Sequence, residues 1–169
     1  IKIVTGRRKM VANSQVNGAE LFYFFFFIGF LIFILLISTT ETFRGRKYSK
    51  FSVLYRPVLY FILGLIYLAS GFFLLLLPLV LLVIVTGFWI GTRYSDPTLF
   101  VENRVLYYKR SILVYVVWLL TFVIGILVGF LYPGNSYATV VSGSLLMFSG
   151  GLLLGESYNI MSNAKIWVW

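Results

Sequence analysis

The side chains that most often carry acid–base, nucleophilic or metal chemistry are scarce in this sequence. Its 169 residues include no His, no Cys and only five carboxylates. Without imidazole or thiolate, the usual ligands of haem, zinc and iron–sulfur clusters are missing. A Ser nucleophile would need a Lys as its base, and the lysines all lie outside the long apolar runs. We therefore predict no self-contained enzyme, no metal site and no resident cofactor.

The carboxylates do not form an evident acid–base pair. Glu20 and Glu156 border the first and last apolar segments, where a carboxylate can reach water or lipid headgroups. Asp96 and Glu102 lie six residues apart in a polar linker, and that spacing alone does not bring them together. An ionisable side chain deep in a membrane is the usual sign of ion transport. Because the apolar runs contain none, a proton pump acting alone is not indicated.

The composition places the chain in a membrane. Hydrophobic residues make up 60% and charged residues 11% of it, with a mean hydropathy of +0.96, whereas soluble domains have about 25% charged residues. The apolar runs are far longer than the roughly ten alternating residues of a barrel strand, and a helix satisfies its own backbone hydrogen bonds in lipid. The sequence therefore predicts an all-α polytopic membrane protein.

Apolar segments predict five transmembrane helices within one helical domain over residues 21–156. A basic N-terminal tail, 1–20, precedes this domain and a short C-terminal tail, 157–169, follows it. Arg7-Arg8-Lys9 resembles the start of a signal peptide, but no clear small-residue cleavage site follows Ile37, so we expect the first segment to be retained. The predicted spans are about 21–38, 57–74, 76–93, 111–132 and 138–155.

The segment from 57 to 91 decides between five spans and four. It carries no charged residue and as one helix would be about 50 Å long, against roughly 30 Å of hydrocarbon. Ser70, Gly71 and Pro78 are the candidate helix-breaking residues, so we predict a hairpin, with one kinked span as the alternative. A hairpin puts ten basic residues on one side and four on the other, against nine and five for a single span. The positive-inside rule slightly favours the hairpin.

This topology predicts where the basic side chains lie. The linkers 39–56 and 92–110 would share the cytoplasmic side or its equivalent, with the N-terminus on the opposite side. Lys and Arg gather beside apolar runs, which is typical of membrane topology signals rather than of nucleic-acid binding. We expect anionic headgroups and bound lipids as partners. The candidate headgroup-contacting residues are Arg44, Arg46, Lys47, Lys50, Lys109 and Arg110.

Small residues mark the candidate helix-packing surfaces. Three Gly-x-x-x-Gly pairs occur, and the last span is rich in Gly and Ser whereas the first is bulky throughout. Small residues let helix backbones approach closely in lipid, so these surfaces should be buried against helices of this chain or of a partner subunit. The candidate packing residues are Gly87, Gly91, Gly125, Gly129, Gly143, Gly151 and Gly155.

No motif in the sequence assigns an activity. We therefore predict a non-catalytic integral membrane subunit or scaffold of a larger membrane protein complex, which acts through helix packing and lipid contact. A small transporter or channel component, in which the broken segment 57–91 lines a cavity, is one alternative. A membrane-shaping protein, with two short hairpins wedged into one leaflet, is the other.

Overall fold

The structure is a computed structural model that describes residues 18–69, 73–132 and 134–167. Most of these residues are helical, and the chain divides into two compact units, 1–39 and 40–169. The helices are α1 (Gly18–Phe43), α2 (Lys50–Ala69), α3 (Phe73–Tyr94), α4 (Ile112–Leu131) and α5 (Ser136–Trp167), and the strands are β1 (Arg46–Lys47), β2 (Thr98–Glu102) and β3 (Val105–Lys109).

Three of the described helices are long and apolar enough to cross a membrane. They are Leu77–Tyr94 in α3, Ile112–Leu131 in α4 and Ser136–Lys165 in α5. Their 18, 20 and 30 residues correspond to about 27, 30 and 45 Å of helix, against a hydrocarbon layer of about 30 Å. The prediction of a helical integral membrane protein is confirmed to this extent.

The two longest extensions beyond a predicted span lie at the start of α2 and at the end of α5. α2 begins at Lys50, so Pro57, the first residue of the predicted span, lies two turns inside the helix. A capping pair starts it, because Ser49 Oγ accepts the Ser52 N–H at 3.1 Å and Ser52 Oγ accepts the Ser49 N–H at 3.2 Å. α5 continues to Trp167, so the predicted C-terminal tail is mostly helical. Hydropathy marks only the part of a helix that lies in lipid, and both extensions carry polar residues.

The two basic linkers contribute to a three-stranded antiparallel sheet in the order β1-β3-β2. The fold is therefore not all-α, which corrects the sequence prediction. β2 and β3 form a hairpin that ends where Glu102 pairs with Val105. The turn residues Asn103 and Arg104 have φ of 50° and 61°. Positive φ at both positions is the type I′ turn, whose twist matches that of the flanking strands.

β1 joins the first linker to the second. Arg46 pairs with Tyr108 and Lys47 with Tyr107. The Phe100 and Tyr107 rings stack with centroids 5.5 Å apart across β2 and β3. Cross-strand pairs of this kind are the unit of sheet stabilisation, so the sheet holds both linkers together.

α5 is the central helix of the second unit and packs against α2, α3 and α4. Contacts along its length show that α3 runs parallel to it and that α2 and α4 run antiparallel to it. The contacting pairs are Gly87 with Phe148 and Thr92 with Asn159 for α3, Val53 with Ser157 and Gly64 with Met147 for α2, and Ser111 with Glu156 and Thr121 with Ser149 for α4.

An aromatic cluster fills the contact between α2 and α4. Tyr60 packs edge-on against Trp118 and Phe122, with ring centroids 5.7 and 5.6 Å apart, and Trp118 and Phe122 stack at 5.4 Å. All three side chains are buried. Such ring pairs contribute beyond their apolar area, and here they fix α2 against α4.

A hydrogen bond between Thr121 and Ser149 links α4 to α5. The two Oγ atoms lie 2.9 Å apart, and Ser149 is fully buried. Interhelical hydrogen bonds contribute about 0.6 kcal/mol on average in membrane proteins, so we expect Ser149→Ala to lower the free energy of unfolding by about that amount in SDS titrations of detergent-solubilised protein. Thr86→Ala is the control, because the exposed Thr86 hydroxyl bonds the Leu82 carbonyl of its own helix. Equal losses in the two variants would contradict a role for the interhelical bond.

Candidate functional site

Arg110 and Glu156 form a buried ion pair. Arg110 Nη1 donates to Glu156 Oε2 at 2.6 Å, and the two side chains are 2% and 0% exposed. The other carboxylate oxygen, Oε1, accepts the backbone N–H of Ser111 at 2.7 Å, directly before α4. Both oxygens of Glu156 are therefore bonded within the chain, an arrangement that fixes positions rather than one that leaves a carboxylate for acid–base work.

This ion pair corrects two sequence predictions. Glu156 is not a carboxylate at a helix end that reaches water, because α5 continues for eleven residues beyond it. Arg110 does not contact headgroups, because its guanidinium is paired inside the protein with a residue 46 positions later in the chain. Burying either charge alone would be costly, and the partner compensates it.

Pro57 explains why the ion pair lies against α2. Its nitrogen carries no hydrogen, so the Val53 carbonyl, four residues earlier, has no donor within its own helix. That oxygen instead accepts Arg110 Nη2 at 3.2 Å. It also accepts the Ser157 hydroxyl at 3.0 Å, whose hydrogen is shared with the Leu153 carbonyl at 2.7 Å. The backbone group that proline frees therefore joins α2 to the second linker and to α5.

Tyr108 connects the sheet to the same place. It is fully buried, and its hydroxyl donates to the Ser52 carbonyl at 3.1 Å. Its ring lies 5.9 Å from the Arg110 guanidinium carbon, and it packs with Val53 and Ile160. β3, α2, α4 and α5 thus meet at one point, which we call the linker junction: Ser52, Val53, Tyr108, Arg110, Ser111, Glu156 and Ser157.

Four of the predicted packing glycines lie between α3 and α5. A Cβ added to any of them would collide with a backbone carbonyl oxygen of the facing helix. The two backbones therefore touch without an intervening side chain, as small-residue pairs allow, and the geometry suits Cα–H to carbonyl contacts. The facing pairs are Gly87 with Phe148, Gly91 with Leu152, Gly151 with Ile84 and Gly155 with Phe88.

The other predicted packing and helix-breaking residues are placed differently. Gly125 packs against Leu145, while Gly143 is buried and Gly129 is half-buried. Pro78 lies inside α3 rather than at a break. Ser70 and Gly71 lie outside the described residues, although the two helices on either side of them run in opposite directions.

The predicted headgroup-contacting residues lie around the sheet. Arg44, Arg46, Lys47 and Lys50 are exposed, and Lys109 is half-buried with its Nζ 5.5 Å from the Phe100 ring centroid. With Arg110 buried, five of the six remain as candidates for contact with anionic headgroups.

Sequence reasoning missed the linker junction because its residues are close together in the fold but come from distant parts of the sequence. The available signals were a proline at the start of an apolar run, a basic residue directly before the next run and a carboxylate near the end of the last run. None of these says which residues meet. The described residues contain no group of three or more His, Cys, Asp or Glu that could hold a metal. Comparison of the chain with protein-family models, with curated proteins and with solved structures finds no match.

Proposed function

We propose that this chain is a non-catalytic integral membrane subunit or scaffold of a larger membrane assembly, acting through helix packing and lipid contact. The linker junction carries the proposal. Its charged groups and hydroxyls bond one another and backbone carbonyls. These bonds fix the positions of the helices and linkers, which favours a structural role over substrate binding. A fixed shape at one membrane face, surrounded by exposed basic side chains, is what a scaffold requires.

The outward faces of α3 and α4 support this reading. They carry large apolar side chains that are about half exposed or more, and such surfaces in a membrane protein are covered by lipid tails or by another subunit. The glycines between α3 and α5 are occupied within the chain, so we expect a partner helix to contact these bulkier faces. They include Leu82, Val85 and Trp89 on α3 and Leu120, Ile124 and Phe130 on α4.

We further propose five spans with both basic linkers on one side. β1 and β3 belong to different linkers and are hydrogen-bonded neighbours, so the segment between them would cross the membrane an even number of times. The opposite directions of α2 and α3 support a hairpin there. The excess of Lys and Arg in these linkers favours the cytoplasmic side.

Single cysteines test this topology, because the chain has no Cys of its own. We expect Arg44→Cys and Glu102→Cys, both exposed, to react with a membrane-impermeant maleimide from the same side. Tyr137→Cys, 84% exposed before substitution and near the start of α5, and Gly71→Cys should react from the other side. Labelling of Arg44→Cys and Glu102→Cys from opposite sides would contradict the hairpin.

Native mass measurement after extraction in mild detergent tests the scaffold itself. We expect species well above the 19.4 kDa of one chain, with other integral membrane proteins retained. The cysteine-free parent allows the same preparation to be crosslinked through one introduced thiol at a time. A monodisperse lone chain under the mildest conditions would count strongly against the proposal.

A further inference from the structure

An open groove of about 820 Å³ lies beside the linker junction, at the sheet end of α5. Tyr48 and Met161 line it and also pack against the buried cluster of Val53, Tyr108 and Ile160. Lys50 and Lys165 line it as well and are exposed. The groove thus combines an apolar wall with two positive charges, and no carboxylate is among the described residues that line it.

In the proposed membrane orientation, the groove begins at the depth of lipid headgroups. The bond between the Ser111 N–H and Glu156 puts the start of α4 level with residue 156 of α5. Residues 158–165 of α5 therefore extend about 3–14 Å beyond that level, at 1.5 Å per residue. α4 is long enough to fill the hydrocarbon layer, and the headgroup region adds roughly 5–8 Å on each side of that layer. Tyr158 and Met161 then lie within the headgroup region, and the side chain of Lys165, whose backbone lies farther out, points back toward it as helical side chains do.

We propose that this groove binds one anionic phospholipid. Its phosphate lies between Lys50 and Lys165, and its glycerol and first acyl carbons lie against Tyr48, Tyr158 and Met161. Charge complementarity argues for this occupant, because both lysines in the lining are cationic. Tyr and Lys at the membrane interface present an apolar body and a polar tip to a lipid. The inference rests on the membrane orientation in the proposed function and adds a defined site to it.

Lipid retention by the full chain in mixed micelles tests the site. Native mass spectrometry should show phosphatidylglycerol retained in preference to phosphatidylcholine. Lys50→Ala/Lys165→Ala should weaken phosphatidylglycerol binding roughly 25-fold, from about fivefold per basic residue, with phosphatidylcholine binding unchanged. Ser162→Trp keeps the charge and fills the groove, so it should also weaken retention. The matched control, Arg93→Ala/Arg104→Ala, removes two exposed charges outside the groove and should retain the lipid.

Several results would overturn the proposal. Equal losses in the lysine and arginine double variants would mean a general charge effect, and full retention in Ser162→Trp would mean that the lipid lies elsewhere. Displacement of the lipid by millimolar inorganic phosphate would assign the groove to a free anion. A lipid-free dimer would assign it to a second copy of the chain. The mass of the larger assembly reports separately on the scaffold proposal, because these surface variants leave the helix contacts unchanged.

Discussion

Replacing Glu156 by Gln is expected to lower the free energy of unfolding by about 3–5 kcal/mol, the usual cost of removing one partner from a buried ion pair. The amide oxygen of the new side chain can still accept the Ser111 N–H, so the variant loses mainly the charge that compensates Arg110. The guanidinium is 2% exposed, so water cannot replace the carboxylate. SDS titration of the protein in micelles, followed by tryptophan fluorescence, measures the loss.

Three further variants separate charge from shape at this site: Arg110→Gln, Arg110→Gln combined with Glu156→Gln, and Glu102→Gln. The double variant leaves no net charge buried, so it should recover part of the loss, and the double-mutant cycle built with the two single variants should give a coupling energy well above zero. Glu102→Gln removes an exposed carboxylate at the end of β2 and should change stability by no more than about 0.5 kcal/mol. If Glu156→Gln were as mild as Glu102→Gln, the ion pair would not hold the junction.

Replacing Gly91 by Ala is expected to cost about 1–3 kcal/mol, the range for overpacking a close contact, and Gly91→Leu is expected to cost more. The added Cβ would meet the Leu152 carbonyl oxygen and lie 3.2 Å from the Glu156 nitrogen. Because the obstacle is backbone rather than a flexible side chain, α3 and α5 must separate. Thermal unfolding in micelles measures the loss, and the separation should also weaken the Arg110–Glu156 pair.

Gly29→Ala is the matched control for this variant. Among the described residues, no atom beyond the local backbone of α1 lies within 4 Å of a Cβ at Gly29, and Ala favours a helix over Gly by up to about 1 kcal/mol, so this change should be neutral or slightly stabilising. Gly155→Ala should cost about as much as Gly91→Ala, since it faces Phe88 across the same contact. The Gly91→Ala/Gly155→Ala double variant should lose less stability than the sum of the two single variants. Once the first added Cβ has separated α3 and α5, the second meets fewer close contacts. Strict additivity would argue against one shared contact.

Much of the helical framework could be predicted from local sequence. Apolar length located α3 and α4 to within a few residues, because lipid imposes both a helix and its span. Sequence reasoning lost accuracy where polar residues continue a helix, as at Lys50 and after Glu156. The Ser49–Ser52 capping pair was a readable start signal for α2, and Asn103 between two alternating runs was a readable turn signal for the β-hairpin; both were masked by the stronger hydropathy pattern.

The candidate sites divide in the same way. The glycines that lie between α3 and α5 were candidates from their spacing alone, because four residues is the repeat of one helix face. The residues that these glycines face could not be predicted, since spacing within a helix does not say what that helix contacts. Arg110 and Glu156 were misplaced for the same reason: each is an ordinary boundary charge in the sequence, and only their meeting makes both of them interior groups.

Composition, run length and spacing were enough to predict a membrane protein, its helical character and its small-residue surfaces, because each is a property of a single segment. Three features needed the folded chain: the sheet shared by the two linkers, the bonds from Arg110 and Ser157 to the Val53 carbonyl that Pro57 frees, and the burial of Glu156. These features join residues from separate segments, and the free energy that selects them comes from contacts that no single segment contains.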